Sequence, residues 1–250
     1  KLKIKKILFS QNPPVNIAKT PYANLISKHN VKIDFFKFFQ IQRISVSQFK
    51  KNKISFSNFT TMVFTTRYSI DHFFSLLRES KMELPADIKF CCINESTALY
   101  LQKYVNYRKR RMTHAKGSIE TLAKILEDKN DEERYLIPCS IDSCVNPLIT
   151  LLDEKKINYE KAEVFQIVMA DLSQVNIEEY DMIVFFSPFG IESLKINFPN
   201  YQQGNTIIGA LGYQVLDVAA QEGLRVDIMA PTPEQPSIFT AIDQYIQKNK

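Results

Sequence analysis

Two stretches place a hydroxyl side chain where an apolar run meets the start of an amphipathic helix. In "MIVFFSPFGIESL" (182–194), Ser187 takes the N-cap place and Pro188 the first helical position, where proline is favoured. In "TMVFTTRYSIDHFF" (61–74), Thr66 and Arg67 stand in the same two places. Taken singly, each hydroxyl only satisfies free N–H groups of a first turn. Two such helix starts facing each other would make a cleft lined with amide donors and positive helix ends, a surface suited to carboxylates. Neither turn holds an obvious catalytic side chain, so the chemistry they offer is binding and positioning.

The other reactive residue types do not assemble into a site. Cys91 and Cys92 are adjacent in a strand-like run and must point to opposite faces, while Cys139 and Cys144 fit neither a C-x-x-C redox motif nor a zinc knuckle. All four read as small buried hydrophobes. His29, His72 and His114 are scattered and form no H-E-x-x-H or i,i+4 pair, so neither a metal nor an organic cofactor is expected. The chain has only 6 glycines and contains no G-x-G-x-x-G or P-loop pattern, which argues against a nucleotide or phosphate binder. Much of the net charge of +5 comes from "KYVNYRKRRMTHAKGS" (103–118). That run fits a solvated strand edge, attraction of an acidic small molecule, or nucleic acid; its shortness and the balanced charge elsewhere disfavour the last.

The elements that carry these turns come in two sets. "KKILFSQNPPVNIAKTPYANLISKHNVKIDFFKFFQI" (5–41) lines up with "ERYLIPCSIDSCVNPLITLLDEKKINYEKAEVFQI" (133–167), both read as strand, turn, helix, link and strand ending in Phe-Gln-Ile. After each Phe-Gln-Ile come a polar connector, one of the opening turns, and a further strand and helix: "IKFCCINESTALYLQKY" (88–104) or "NTIIGALGYQVLDVAAQEG" (205–223). Short strands alternating with helices argue for α/β architecture, and apolar runs such as "MIVFF" for parallel sheets covered on both faces. Each half supplies about five strands, enough for one doubly wound domain, whose ligands bind at the carboxyl ends of the strands. With 45% hydrophobic and 24% charged residues the 250-residue chain reads as globular, and no segment approaches the roughly 18 apolar residues of a membrane helix. The apolar part of the lead-in "KLKIKKILFSQ" is too short for a signal peptide, so it is expected to be a first strand in a cytoplasmic protein.

The pattern resembles the uroporphyrinogen-III synthase family. "FTTRYSI" (64–70) and "FFSPFGI" (185–191) match its F-T-S-x-x-G/A-V turns. "INESTALYL" (93–101) keeps the Thr97-Ala98 pair of its I-G-x-x-T-A-x-A-L turn, and Gly212 keeps the glycine of the second copy. The tail "AAQEGLRVDIMAPTPEQPSIFTAI" (219–242) resembles the family's closing segment, and the likeness covers essentially the whole chain. The resemblance implies two similar flavodoxin-like, doubly wound parallel-sheet domains joined by a two-stranded connector. Domain 1 would be discontinuous, 1–38 plus 171–250, with domain 2 at 44–164 and connector strands at 39–43 and 165–170. It further implies a monomer that closes hydroxymethylbilane, an octacarboxylate tetrapyrrole, to uroporphyrinogen III with inversion of ring D and loss of water, through a spiro intermediate, in haem biosynthesis. Transient hand-over from hydroxymethylbilane synthase, with no nucleic-acid or membrane partner, belongs to the same expectation.

Because the substrate reacts unaided to the wrong isomer, such an enzyme chiefly has to hold it folded, and plain turns suffice for that. The residues expected to bind it are Ser10, Thr65, Thr66, Arg67, Tyr68, Asn94, Thr97, Ser187, Phe189, Gly190, Gly212, Tyr213 and Gln214, with the Phe189 and Gly190 amides as donors. No catalytic residue is certain. Phe165 stands where the family usually has a tyrosine, Val215 and Leu216 where it has Thr-Ala, and Gln11 and Pro138 where arginines are frequent. Tyr68 and Tyr213 are the candidate proton donors in place of the missing phenol, each equally readable as a helix-start residue with its hydroxyl in water. These departures also motivate an alternative, a non-catalytic or weakly active two-lobed binding protein on the same scaffold.

Overall fold

A computed structural model describes residues 3–106, 108–141 and 146–249. The chain divides into two compact units, Lys1–Gln40 with Val168–Lys250, and Ile41–Ile167. It starts in unit 1 with β1 (Lys6–Phe9), α1 (Pro21–His29) and β2 (Lys32–Phe35), and leaves through β3 (Phe39–Arg43). Unit 2 runs through α2 (Val46–Lys51), β4 (Thr61–Phe64), α3 (Arg67–Glu79), β5 (Lys89–Cys92), α4 (Glu95–Leu101) and β6 (Met112–His114). It continues with α5 (Ile119–Asp128), β7 (Tyr135–Ser140) and α6 (Pro147–Glu154), and β8 (Tyr159–Met169) carries the chain back. Unit 1 is then finished by β9 (Met182–Phe185), α7 (Pro188–Asn197), β10 (Ile207–Leu211), α8 (Tyr213–Gln221), β11 (Ile228–Ala230) and α9 (Ile238–Lys248).

The unit 1 sheet has the order β11-β10-β9-β1-β2 with every neighbour parallel. Strand alternation divides its core into two layers. Ile7, Phe9, Met182 and Val184 pack beneath α1 and α9, whereas Leu8, Ile183 and Phe185 meet Ile191 and Leu194 of α7 and Val215 and Ala219 of α8. Both faces are covered, which is why these strands read as unbroken apolar runs. The winding reverses between β1 and β9, the switch point at which flavodoxin-like sheets take their ligands.

Unit 2 repeats this order as β8-β7-β4-β5-β6, again parallel, if β7 is taken as the first strand. Its switch point lies between β7 and β4, and β3 flanks β8, where the Ile44 amide donates to Val164 O at 3.2 Å. Cys91 and Cys92 fall on opposite faces, Cys92 in the core with α3 and α4 and Cys91 in the core with α5 and α6. One proline shapes the switch point. β7 pairs with β8 along its whole length, but with β4 only at Tyr135 and Leu136. Pro138, two residues further on, has no N–H to give to the ladder, so β4 and β7 part company toward their carboxyl ends.

Candidate active site

In unit 2 the carboxyl end of β4 leads through Thr65 into the capped start of α3. The Thr66 hydroxyl accepts the Ser69 amide at 3.1 Å, and the Ser69 hydroxyl returns a bond to Thr66 O at 2.8 Å. This fixes the third amide of the helix and leaves those of Arg67 and Tyr68 without a bond to any described residue, at the positive end of a 13-residue helix. The Arg67 side chain leans across to α4, with Nη2 donating to Ser96 Oγ at 2.6 Å and its guanidinium 5.2 Å above the Tyr100 ring. Tyr68 sets its ring edge-on against Phe165 at 5.3 Å, and His72, one turn later, lies 5.9 Å from the same ring. Burial raises the Tyr68 phenol, partly offset by a hydrogen bond with Thr66, so it stays protonated and able to donate. Burial lowers His72, helped by Arg43 and opposed by Asp71, so its imidazole is neutral at pH 7.

In unit 1 the matching turn joins β9 to α7. Ser187 caps it by accepting the Phe189 amide at 3.3 Å, and the Gly190 amide donates to Ser187 O at 3.0 Å. The two amides expected to be free for a ligand are therefore satisfied inside the turn. Ser10 differs from expectation in the same way. It is only 6% exposed, and both its amide (3.0 Å) and its hydroxyl (2.9 Å) donate to Val184 O, clamping β1 to β9. Gly190 sits on this clamp: a Cβ there would lie 2.9 Å from Phe185 Cδ1 and 3.5 Å from Ser10 Oγ, so only glycine lets the helix approach so closely.

The remaining expected residues divide between helix starts and core. Asn94 caps α4 through Oδ1, which accepts the Thr97 amide at 2.8 Å, and Thr97 is buried against the unit 2 core. Gly212 begins α8 at φ 93°, a conformation that favours glycine, and leaves open space where a side chain would stand. Tyr213, 66% exposed, and Gln214 follow it into solvent. Val215, in the place of the family's threonine, is packed into the unit 1 core, and Phe165 is likewise a core residue of unit 2. Gln11 donates to the Tyr22 hydroxyl, and Pro138 is buried within β7.

Burial pushes the Cys91 and Cys92 thiols up to about 12, which keeps them unreactive; Cys139 is also buried, and Cys144 lies outside the described residues. Among the described residues no cluster of His, Cys, Asp or Glu is placed to hold a metal, and no helix is long and apolar enough to cross a membrane. The basic run 103–118 spans β6, an edge strand, with Arg111 just before it donating to Ala86 O ahead of β5. Its Arg108–Arg111 part thus lies at the amino ends of the strands, away from the mouth of its own sheet. The parting of β4 and β7 escaped sequence reading, although a proline inside an apolar run was its visible signal.

Two doubly wound units, each with a hydroxyl-capped helix start at its switch point, define an α/β protein of the class that takes ligands at the carboxyl ends of its strands. A family model described as uroporphyrinogen-III synthase HemD matches residues 21–240, and the chain belongs to that family of cyclising lyases acting on a tetrapyrrole. Among solved structures it is similar to a mutant uroporphyrinogen III synthase of the extremely thermophilic bacterium Thermus thermophilus, with a TM-score of 0.69 and 12% identity over 98% of this chain and 99% of that one. It is also similar to uroporphyrinogen-III synthetase of Helicobacter pylori, with a TM-score of 0.60 and 13% identity over 98% and 100% of the two chains. At such identities the likeness is one of fold. A search of curated protein sequences found no match.

Proposed function

We propose that this chain closes hydroxymethylbilane to uroporphyrinogen III, inverting ring D and releasing the terminal hydroxyl as water, and that it does so by holding the substrate. The observation that carries this reading is a helix start with unbonded amides at the strand carboxyl ends of each unit, α3 in unit 2 and α8 in unit 1. Each mouth carries its own set of carboxylate donors. In unit 2 the Arg67 and Tyr68 amides, with the hydroxyls of Thr65 and Thr66, are the donors. In unit 1 the open start of α8 contributes the Tyr213 and Gln214 amides beside Gly212, and Ser187 adds its hydroxyl. Ser10, Asn94, Thr97, Phe189 and Gly190 hold these turns in shape.

Of the two candidate phenols, Tyr68 is favoured as the proton donor to the departing hydroxyl. Its ring is braced against Phe165, whereas Tyr213 is mostly in water. A positioned general acid contributes roughly 10²–10⁴-fold, so Tyr68→Phe is expected to lower kcat within that range while type III product still forms. The protein acts as a monomer that receives its substrate from hydroxymethylbilane synthase. The deciding experiment couples purified protein to hydroxymethylbilane production and separates the isomers. Mainly type III product supports the reading, and the spontaneous type I product alone refutes it.

A further inference from the structure

Five aromatic rings meet at the carboxyl end of the unit 1 sheet, on the face covered by α1 and α9. Phe9 ends β1, Phe35 ends β2 and Phe186 follows the last residue of β9, while Tyr22 and Phe239 are the second residues of α1 and α9. Phe9 is the hub, with ring centroids 4.8 Å from Tyr22, 5.8 Å from Phe35, 6.1 Å from Phe186 and 6.3 Å from Phe239. Tyr22 stands edge-on to both Phe35 and Phe239 at 4.8 Å, and Gln11 satisfies its hydroxyl. Phe9 and Tyr22 are buried and anchor the set; Phe35, Phe186 and Phe239 are half-buried and keep part of their surface open.

Packing alone does not call for this distribution. Deeper in the same layer the core is aliphatic, built from Ile7, Met182, Val184, Ile207, Ile228 and Ile242. These five rings gather at the end of the sheet where doubly wound units take ligands, while Tyr245 packs on the layer from farther along α9. Phe186 also shares its turn with Ser187, so the aromatic surface and the capped helix start are adjacent in the chain. Amides and hydroxyls can hold carboxylates, yet they leave the plane of each substrate ring undetermined. Aromatic rings fix a plane, because flat π systems pair in offset or edge-to-face geometry with centroids about 4.5–7 Å apart.

We propose that Phe35, Phe186 and Phe239 form a platform on which one pyrrole ring of the tetrapyrrole lies, orienting that ring while backbone donors hold the carboxylates. This rests on the function proposed above and names positioning residues for it. The test uses the full chain, the coupled isomer assay and calorimetry with uroporphyrin III, the stable oxidised macrocycle. Phe186→Leu and Phe239→Leu are each expected to weaken uroporphyrin binding and raise KM about 2- to 10-fold with kcat largely kept, and Phe186→Tyr to restore both. The chain has 0 tryptophans, so Phe186→Trp supplies a single indole whose emission uroporphyrin should quench on binding. That measurement stands even if a leucine variant fails to fold. Leucine variants that fold and keep wild-type KM and uroporphyrin affinity overturn the platform, as does an unquenched indole at a uroporphyrin concentration that calorimetry shows to be saturating. Type I product alone from the wild-type protein refutes the functional reading instead, so the two failures are distinguishable.

Discussion

Glu133 offers the sharpest test of how the amino end of the unit 2 sheet is held together. Its carboxylate is buried beside the amino ends of β4, β5 and β7, where Oε1 accepts Lys89 Nζ at 2.5 Å and Oε2 accepts the hydroxyls of Thr60 at 2.5 Å and Thr61 at 2.9 Å. The switch point lies between β4 and β7, whose ladder is short, and this network adds side-chain bonds to the backbone bonds that Thr60 and Thr61 give Arg134 O. Glu133→Ala strands the buried Thr61 hydroxyl, whereas that of Thr60 keeps the Arg134 amide at 2.8 Å. Lys89, half exposed, can turn back into water, so its loss adds little. Hydrogen bonds to a charged group contribute about 1.5–3 kcal/mol each, and removing one partner of a buried charge network costs about 3–5 kcal/mol. A loss near the lower end, about 3 kcal/mol, is expected, which for a chain of this size lowers Tm by about 10 °C. Glu133→Gln keeps an acceptor for the hydroxyls and should cost about 1–2 kcal/mol. Burial pushes this carboxyl up, but the bonds from Lys89, Thr60 and Thr61 outweigh it and hold the group below its ordinary 4.5. The contribution is therefore present above pH 4.5 and is lost as pH falls through the lower, folded-state value, so wild type and Glu133→Ala should converge in acid. Urea unfolding followed by circular dichroism measures all of this, and Thr61→Val completes a double-mutant cycle. Because valine removes the stranded hydroxyl, the double variant should be less destabilised than the sum of the singles by about 1–3 kcal/mol. A Glu133→Ala loss below about 1 kcal/mol, or strict additivity with Thr61→Val, refutes the network's role.

Three further outcomes are expected. Gly190→Ala places a methyl 2.9 Å from the buried Phe185 ring and should destabilise by about 1–3 kcal/mol, less a gain of up to about 1 kcal/mol in helix propensity; the penalty should vanish in a Phe185→Leu background, read by thermal unfolding. Thr66→Ala removes the α3 cap and should cost about 0.5–2 kcal/mol, with a higher KM in the isomer assay because the turn that presents the Arg67 and Tyr68 amides loosens. Bonds from Lys28, then His29 and Gln247, hold Asp243 down from 3.8 to about 2 against the opposing effect of burial. Its stabilisation is present above pH 3.8 and lost as pH falls to about 2, so Asp243→Asn should unfold more readily than wild type at pH 7 and the gap should close over that interval.

Much of this protein was readable along the chain. Unbroken apolar strands alternating with helices require parallel sheets covered on both faces, and local chemistry locates the helix starts at Thr66, Asn94 and Ser187, since an N-cap depends on residues within three positions of itself. The roles of those turns depended on contacts the order of residues does not display. Only folding turned Ser10 inward onto Val184, its partner across a parallel crossover, and set Gly190 close against Ser10. Glu133 reads as a surface charge in "DEERY" until β4 and β5 come beside it, and the phenylalanines that end β1 and β2 and follow β9 read as ordinary core until the sheet sets them side by side. Local propensity acts over a turn or two, so sequence could determine the elements and their caps. Which hydroxyls are turned inward and which rings gather at a mouth are set by neighbours far apart in the chain, and those neighbours exist only in the packed structure.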